Sequence, residues 1–128
     1  MIAEILIKYS VDIVIISNTS DSNRENLKNI NKLESGGLSG KPIESLSNDL
    51  INKFYKLIGK KIKIIGVGGV DSGQGAFEKI INGASLVQIY TSMIYKGPNI
   101  ASKISNELID ILKNRGIKNI SEAVGTKN

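Results

Sequence analysis

Three short stretches of this 128-residue chain carry residue types that can hold a flat, anionic ligand. Ser17-Asn18-Thr19 follows an apolar run and offers two hydroxyls and an amide. An Asn side chain has one acceptor and two donors, which suits a planar ligand bearing carbonyl and N–H groups; it equally suits an Asx turn leaving a strand. Gly66-Val67-Gly68-Gly69 precedes a helical pattern, and glycines there let consecutive amides converge on a phosphate or form a plain tight turn. Tyr90-Thr91-Ser92 opens a short helical piece whose free amides favour an anion. Glycines and hydroxyls in two adjacent units together point toward phosphate binding. Between them, Gly36-Gly37-Leu38-Ser39-Gly40 is either a flexible loop or backbone packed against a flat cofactor.

Composition narrows the chemistry further. The chain has no Cys, which excludes disulfides, iron–sulfur clusters and thiolate zinc, and no His, which removes the commonest general base and metal ligand. Proton transfer falls to Asp, Glu, Lys, Tyr, Ser or Thr. The formal charge is +5, yet Arg24 and Arg115 are the only arginines and the lysines are spread along the chain. With aromatics at 5% and no basic cluster, nucleic-acid binding is not indicated; a solvated surface that steers anions is. No apolar run approaches the roughly 20 residues a bilayer requires.

The elements that must position these stretches alternate. Ile2 to Tyr9 has helical apolar spacing, and Val11 to Ile16 is a β-branched run apolar on both faces, the pattern of a buried parallel strand. A polar stretch over residues 21–42 follows, then a helix from Ser45 to Gly59 with Leu46, Leu50, Ile51, Phe54, Tyr55 and Ile58 on one face. Ile62 to Val67 reads as a second strand, Gln74 to Asn82 as a helix capped by Asp71 or Ser72, and Ser85 to Tyr90 as a third strand. A short piece over 92–96, a helix over 99–114 and a possible turn over 120–124 complete the chain.

Strand–helix alternation predicts an α/β fold with a parallel sheet whose ligands sit at the carboxyl ends of the strands. Three strand–helix units fall short of the eight, and about 250 residues, of a (β/α)8 TIM barrel. The expected architecture is therefore one partial domain over 1–128, the C-terminal part of such a barrel, with an uncovered interior face and two unpaired edges.

Taken in order, Ser17-Asn18-Thr19, Gly36 to Pro42, Ile64 to Gly73, Glu78-Lys79-Ile80, Gly83 to Thr91 and Lys96-Gly97-Pro98 resemble the C-terminal part of dihydroorotate dehydrogenases. Gly40-Lys41-Pro42 and Gln88-Ile89-Tyr90-Thr91 followed by Gly97-Pro98 are similar to the quinone-dependent, membrane-associated class. The resemblance implies FMN at the barrel mouth, oxidation of dihydroorotate to orotate in pyrimidine biosynthesis, and electrons passed to a quinone. It implies that Asn18 and Thr19 bind substrate, that Ser17, Gly40, Gly68 and Gly69 contact the flavin, and that Tyr90 and Thr91 grip its phosphate. It also implies that the catalytic Ser, a flavin-contacting Lys and the membrane-touching, quinone-binding helices belong to an earlier part of the family pattern. The complete enzyme is then peripheral to an inner membrane, and this chain alone turns over no substrate. The competing expectations are a soluble-class or other FMN- or phosphate-binding barrel oxidoreductase, and a non-catalytic half-barrel that needs a partner chain.

Overall fold

The computed structural model describes residues 2–22, 24–25 and 27–128; Asn23 and Asn26 of the expected polar stretch lie outside the described residues. Helix α1 spans Ile2–Lys8 and is followed by strand β1, Ile13–Ile16. Single 3-10 turns at Ile30–Leu33 and Lys41–Ile43 punctuate the long connection to α2, Glu44–Ile58. Strand β2 is Lys63–Val67, α3 is Gly73–Ile81 and β3 is Leu86–Gln88. A short α4, Thr91–Lys96, leads into α5, Ile100–Asn114, and a final 3-10 turn covers Ile120–Ala123.

The three strands form one parallel sheet in the order β1-β2-β3. Ile15 pairs with Ile65, and Ile65 with Leu86, so these three side chains form a row on one face. Val14 with Ile64, and Ile16 with Gly66 and Val87, form rows on the other. The second face is the one the helices cover. Ile16, Ile51, Ile58, Ile62, Ile64 and Ala84 are buried there with Ala3 of α1, flanked by Leu50, Phe54 and Tyr55. A second core joins Val70 and Ala76 to Ile100 and Ile104, and a third packs Phe77 and Ile80 on Ala123.

The first face is open: Ile13 is 45% exposed, Ile15 54% and Leu86 58%. The strand expected to be buried on both faces is thus covered on one only, because a three-stranded sheet does not curl far enough to meet itself. The strands are also shorter than their apolar runs. Val11 and Asp12 precede β1, although the Asp12 carbonyl accepts from the Lys63 amide at 3.0 Å, and Ile89-Tyr90 follow β3, whose ladder with β2 ends at the Val67–Gln88 pair. On α2, Leu46 faces outward at 39% exposure while Ser47 is buried in its place, which turns the inward face by about one residue.

Candidate functional site

All three loops that leave the strands open at the same end of the sheet, the carboxyl end. There they surround a cavity of about 1030 Å³, at the upper end of ordinary ligand sites. Ser17, Asn18 and Thr19 line it from the loop after β1, Gly68 and Gly69 from the loop after β2, and Tyr90 and Thr91 from the loop after β3. Gly40 lines it from the long connection, so all eight residues singled out in the sequence face one space.

Each wall has a reason to hold its shape. Asn18 turns its Oδ1 to accept from the adjacent Thr19 amide at 2.8 Å, one residue short of the bond that defines an Asx turn, so the oxygen is engaged locally while the residue lines the cavity. Its amide donors have no protein partner among the described residues and remain available to an acceptor. The Ser17 amide donates to the Val67 carbonyl at 3.3 Å, tying the first loop to the end of β2.

The glycine-rich segment is packed rather than loose. Ser20 and Leu38 pair in an antiparallel bridge, with N–H···O distances of 3.0 and 2.7 Å. A Cβ at Gly37 would overlap the Thr19 side chain, and one at Gly40 would lie 2.9 Å from Thr91 Cγ2. Ser39 accepts from the Thr91 hydroxyl at 3.0 Å. The segment therefore stitches the first loop to the third, and it takes glycine because the chains approach too closely for a side chain.

Asp71 closes the remaining side. Its carboxylate meets Lys41 Nζ at 3.1 Å and Lys96 Nζ at 2.9 Å, and Lys96 also donates to the Asp71 carbonyl at 2.9 Å. The hydrogen bond from Lys96, then that from Lys41, holds the Asp71 carboxyl below its usual range despite partial burial. For Lys41, burial works against the charged form, but Glu44 at 2.7 Å and Asp71 together outweigh it and raise its pKa. The sequence offered Asp71 or Ser72 as the cap of α3. Ser72 takes that role, accepting from the Gly75 amide at 3.2 Å, which releases Asp71 to clamp the loops.

An anion would find unsatisfied groups here. Ser92 Oγ, in the first turn of α4, is buried against the cavity and has no hydrogen-bond partner. The phosphate end of a flavin fits this donor set: an orphaned hydroxyl, the amides opening α4, and the Gly68-Gly69 turn. Among the described residues there is no cluster of acidic residues able to hold a metal ion.

The model of the family described as dihydroorotate dehydrogenase matches residues 1–112 of this chain. The chain belongs to the dihydroorotate dehydrogenase family. It is 44% identical over 124 residues to the mitochondrial dihydroorotate dehydrogenase (quinone) of Mus musculus, covering 97% of this chain and 31% of that protein. It is 42% identical over 124 residues to the dihydroorotate dehydrogenase (quinone) of Xanthobacter autotrophicus, covering 97% of this chain and 35% of that protein. Among solved structures, DHODH from Eimeria tenella in complex with ferulenol superposes with a TM-score of 0.95 at 38% identity, over 98% of this chain and 34% of that one. The chain thus spans about a third of the length of the dihydroorotate dehydrogenases it matches, and its sheet is an open part of a (β/α)8 barrel. Enzymes of this family are in general flavin-dependent. Among the described residues no helix is long and apolar enough to cross a membrane.

Two residues the structure brings forward carried only a faint signal in the sequence. Lys79 was visible only as part of Glu78-Lys79-Ile80; it is fully buried, which a lysine at a helical position does not announce. Ser47 sits in a polar-looking position of α2 and is equally buried. A lysine directed at a strand residue as small as Gly66 was the available hint, since a Cβ at Gly66 would lie 3.0 Å from Lys79 Cδ.

Proposed function

We propose that this chain forms the flavin-phosphate and part of the substrate wall of a quinone-linked dihydroorotate dehydrogenase. The observation that carries this reading is the convergence of three strand-end loops and the Gly36–Gly40 segment on one cavity lined by all eight candidate residues. FMN is the flavin whose phosphate this donor set suits. When bound, it supplies the acceptor for the hydride leaving dihydroorotate.

The chain's own residues bind and orient. Asn18 presents its free amide donors to the carbonyl and carboxylate oxygens of dihydroorotate, and Thr19 adds a hydroxyl beside them. Ser17 and Gly40 face the flavin, and Gly68 and Gly69 face its phosphate end, with glycine permitting close backbone approach. Tyr90, Thr91 and Ser92 receive the phosphate at the start of α4. Oxidation to orotate also requires a base for the proton that leaves with the hydride. None of the eight residues is placed as that base, so the chain alone turns over no substrate. The base, the quinone site and peripheral contact with an inner membrane are assigned to the portion of the relatives that this chain does not cover. The apolar row of Ile15, Ile65 and Leu86 is the face that such a portion would cover.

The test joins this chain to the portion of the Xanthobacter autotrophicus relative that it does not match. The joined protein is expected to contain FMN and to reduce a quinone analogue when given dihydroorotate. Asn18→Ala should lower turnover at least tenfold while flavin content stays unchanged. A folded, flavin-loaded joined protein that is indifferent to Asn18→Ala overturns the substrate assignment. Dihydroorotate oxidation by the 128 residues alone overturns the division of labour.

A further inference from the structure

Beneath the Gly68-Gly69 turn lies a buried hydrogen-bond chain that the flavin reading leaves without a role. Lys79, wholly buried on α3, donates from Nζ to Ser47 Oγ at 3.1 Å and to Asn48 Oδ1 at 2.9 Å. Ser47, also buried, donates its own hydroxyl to the Val67 carbonyl at 2.6 Å. Val67 is the last residue of β2, and its carbonyl also accepts the Ser17 amide at 3.3 Å. The next two residues are Gly68 and Gly69. Their φ angles of +113° and +79° turn the chain into the cavity wall. Ser47 Cβ stands 3.1 Å from where a Gly68 Cβ would be, so the hydroxyl relay and the turn are in direct contact.

A lysine is an expensive way to fill a core. No ion pair within 4 Å involves Lys79 among the described residues, and both its hydrogen-bond partners are neutral. Burial pushes its pKa down to about 8, with Glu44 drawing it up and Lys41 pressing it down. An apolar residue of the same length would fill the space without that cost. What an apolar residue lacks is the donor that orients the Ser47 hydroxyl: with Nζ–H donated to Ser47 Oγ, the hydroxyl proton has one direction left, toward Val67.

We infer that Lys79 is a positioning residue for the phosphate turn, acting through Ser47 on the Val67 carbonyl to fix the Gly68-Gly69 backbone. The inference rests on the flavin reading for its functional consequence, and on geometry alone for the turn itself. Lys79 touches no cavity residue chemistry directly; the turn it holds does.

The experiment uses the 128-residue chain with Ser47→Ala and Lys79→Met. The first removes the relay with little change of volume, and the second keeps an unbranched side chain without the donor. Two readouts are taken. FMN and riboflavin, which differ in the phosphate, are titrated by flavin fluorescence. The amide resonances of Gly68 and Gly69 are followed by nitrogen–proton NMR without ligand. The expected result is that both variants lose about tenfold in FMN affinity while riboflavin affinity is unchanged, and that both shift the Gly68 and Gly69 amides. Equal loss for both flavins marks a merely structural role and overturns the inference, as do unmoved glycine amides in a folded Ser47→Ala variant. If the unsubstituted chain binds neither flavin, the flavin titrations are made on the joined protein, whose lack of FMN is what overturns the flavin reading, and the amide resonances of the chain decide whether Lys79 and Ser47 hold the turn.

Discussion

The buried ammonium of Lys79 makes the stability of this chain depend on alkaline pH in a direction that can be worked out beforehand. Its pKa falls from 10.5 to about 8 on folding, chiefly because burial penalises the charged form. The folded state therefore releases this proton before the unfolded state does. Between the two values the unfolded chain binds more protons, and stability rises with pH. At about 1.4 kcal/mol per pH unit, the interval from 10.5 to about 8 amounts to about 3 kcal/mol. Most of it, about 2 kcal/mol, is regained between pH 8 and pH 10. Lys41 acts in the opposite sense, since its raised pKa contributes stability that is lost only above 10.5, outside that window. Urea unfolding followed by circular dichroism at pH 7, 8, 9 and 10 measures the slope, and Lys79→Met isolates it. The variant removes the cost of burying charge and also the bonds to Ser47 and Asn48, so its stability at pH 7 stays within about 2 kcal/mol of the parent. Its slope between pH 8 and pH 10 disappears. A parent whose stability is flat over that range, or a variant that keeps the rise, refutes the reasoning.

Other perturbations test the remaining parts of the site. Gly69→Ala places a Cβ 2.5 Å from Glu44 Cβ at a φ of +79°, whereas Gly97→Ala, at φ +81°, meets open space. The first should cost upwards of about 3 kcal/mol and the second about 1 kcal/mol by thermal unfolding; equal costs would remove the case for a tightly held turn. Asp71→Asn should leave overall stability within about 1 kcal/mol, as expected for exposed ion pairs, but broaden the amide resonances of residues 39–42 and 91–96. Because the Asp71 carboxyl is held below 3.8, the clamp should persist above that pH and open as pH falls further. On the open sheet face, Ile15→Lys with Leu86→Lys should lower self-association of the isolated chain in sedimentation without lowering its melting temperature; those side chains are 54% and 58% exposed and lose no core contact.

What could be read from the sequence followed from local chemistry. Among the described residues the three strands and the four helices other than α4 announce themselves by period, because β-branched runs such as Ile13 to Ile16 and the spaced apolar residues of α5 admit one regular structure each, whereas 92–96 reads equally as a turn. The cavity-lining residues were legible for the related reason that a parallel sheet sends its loops to one end. The strand limits were not legible, since pairing ends where the neighbouring strand ends, which no residue in Val11-Asp12 or Ile89-Tyr90 encodes. The role of Gly36 to Gly40 was also beyond local reading. Only the folded chain brings Thr19 against Gly37 and Thr91 against Gly40, and so distinguishes close packing from looseness. Lys79 and Ser47 escaped notice because polar residues on a helix are read as its solvent face until the structure turns them inward. Asp71 could be read as a cap and became a clamp, a choice made by Lys41 and Lys96, which lie 30 and 25 residues away in the chain.

The most direct test of the account is an FMN titration of the nitrogen-15-labelled 128-residue chain, followed residue by residue. The account predicts saturable shifts concentrated on the amides of residues 17–19, 40, 68–69 and 90–92, with the phosphate end perturbing 68–69 and 90–92 most when FMN is compared with riboflavin. Binding that leaves those amides unmoved, or that maps to Ile13 and Leu86 on the open face instead, would contradict it.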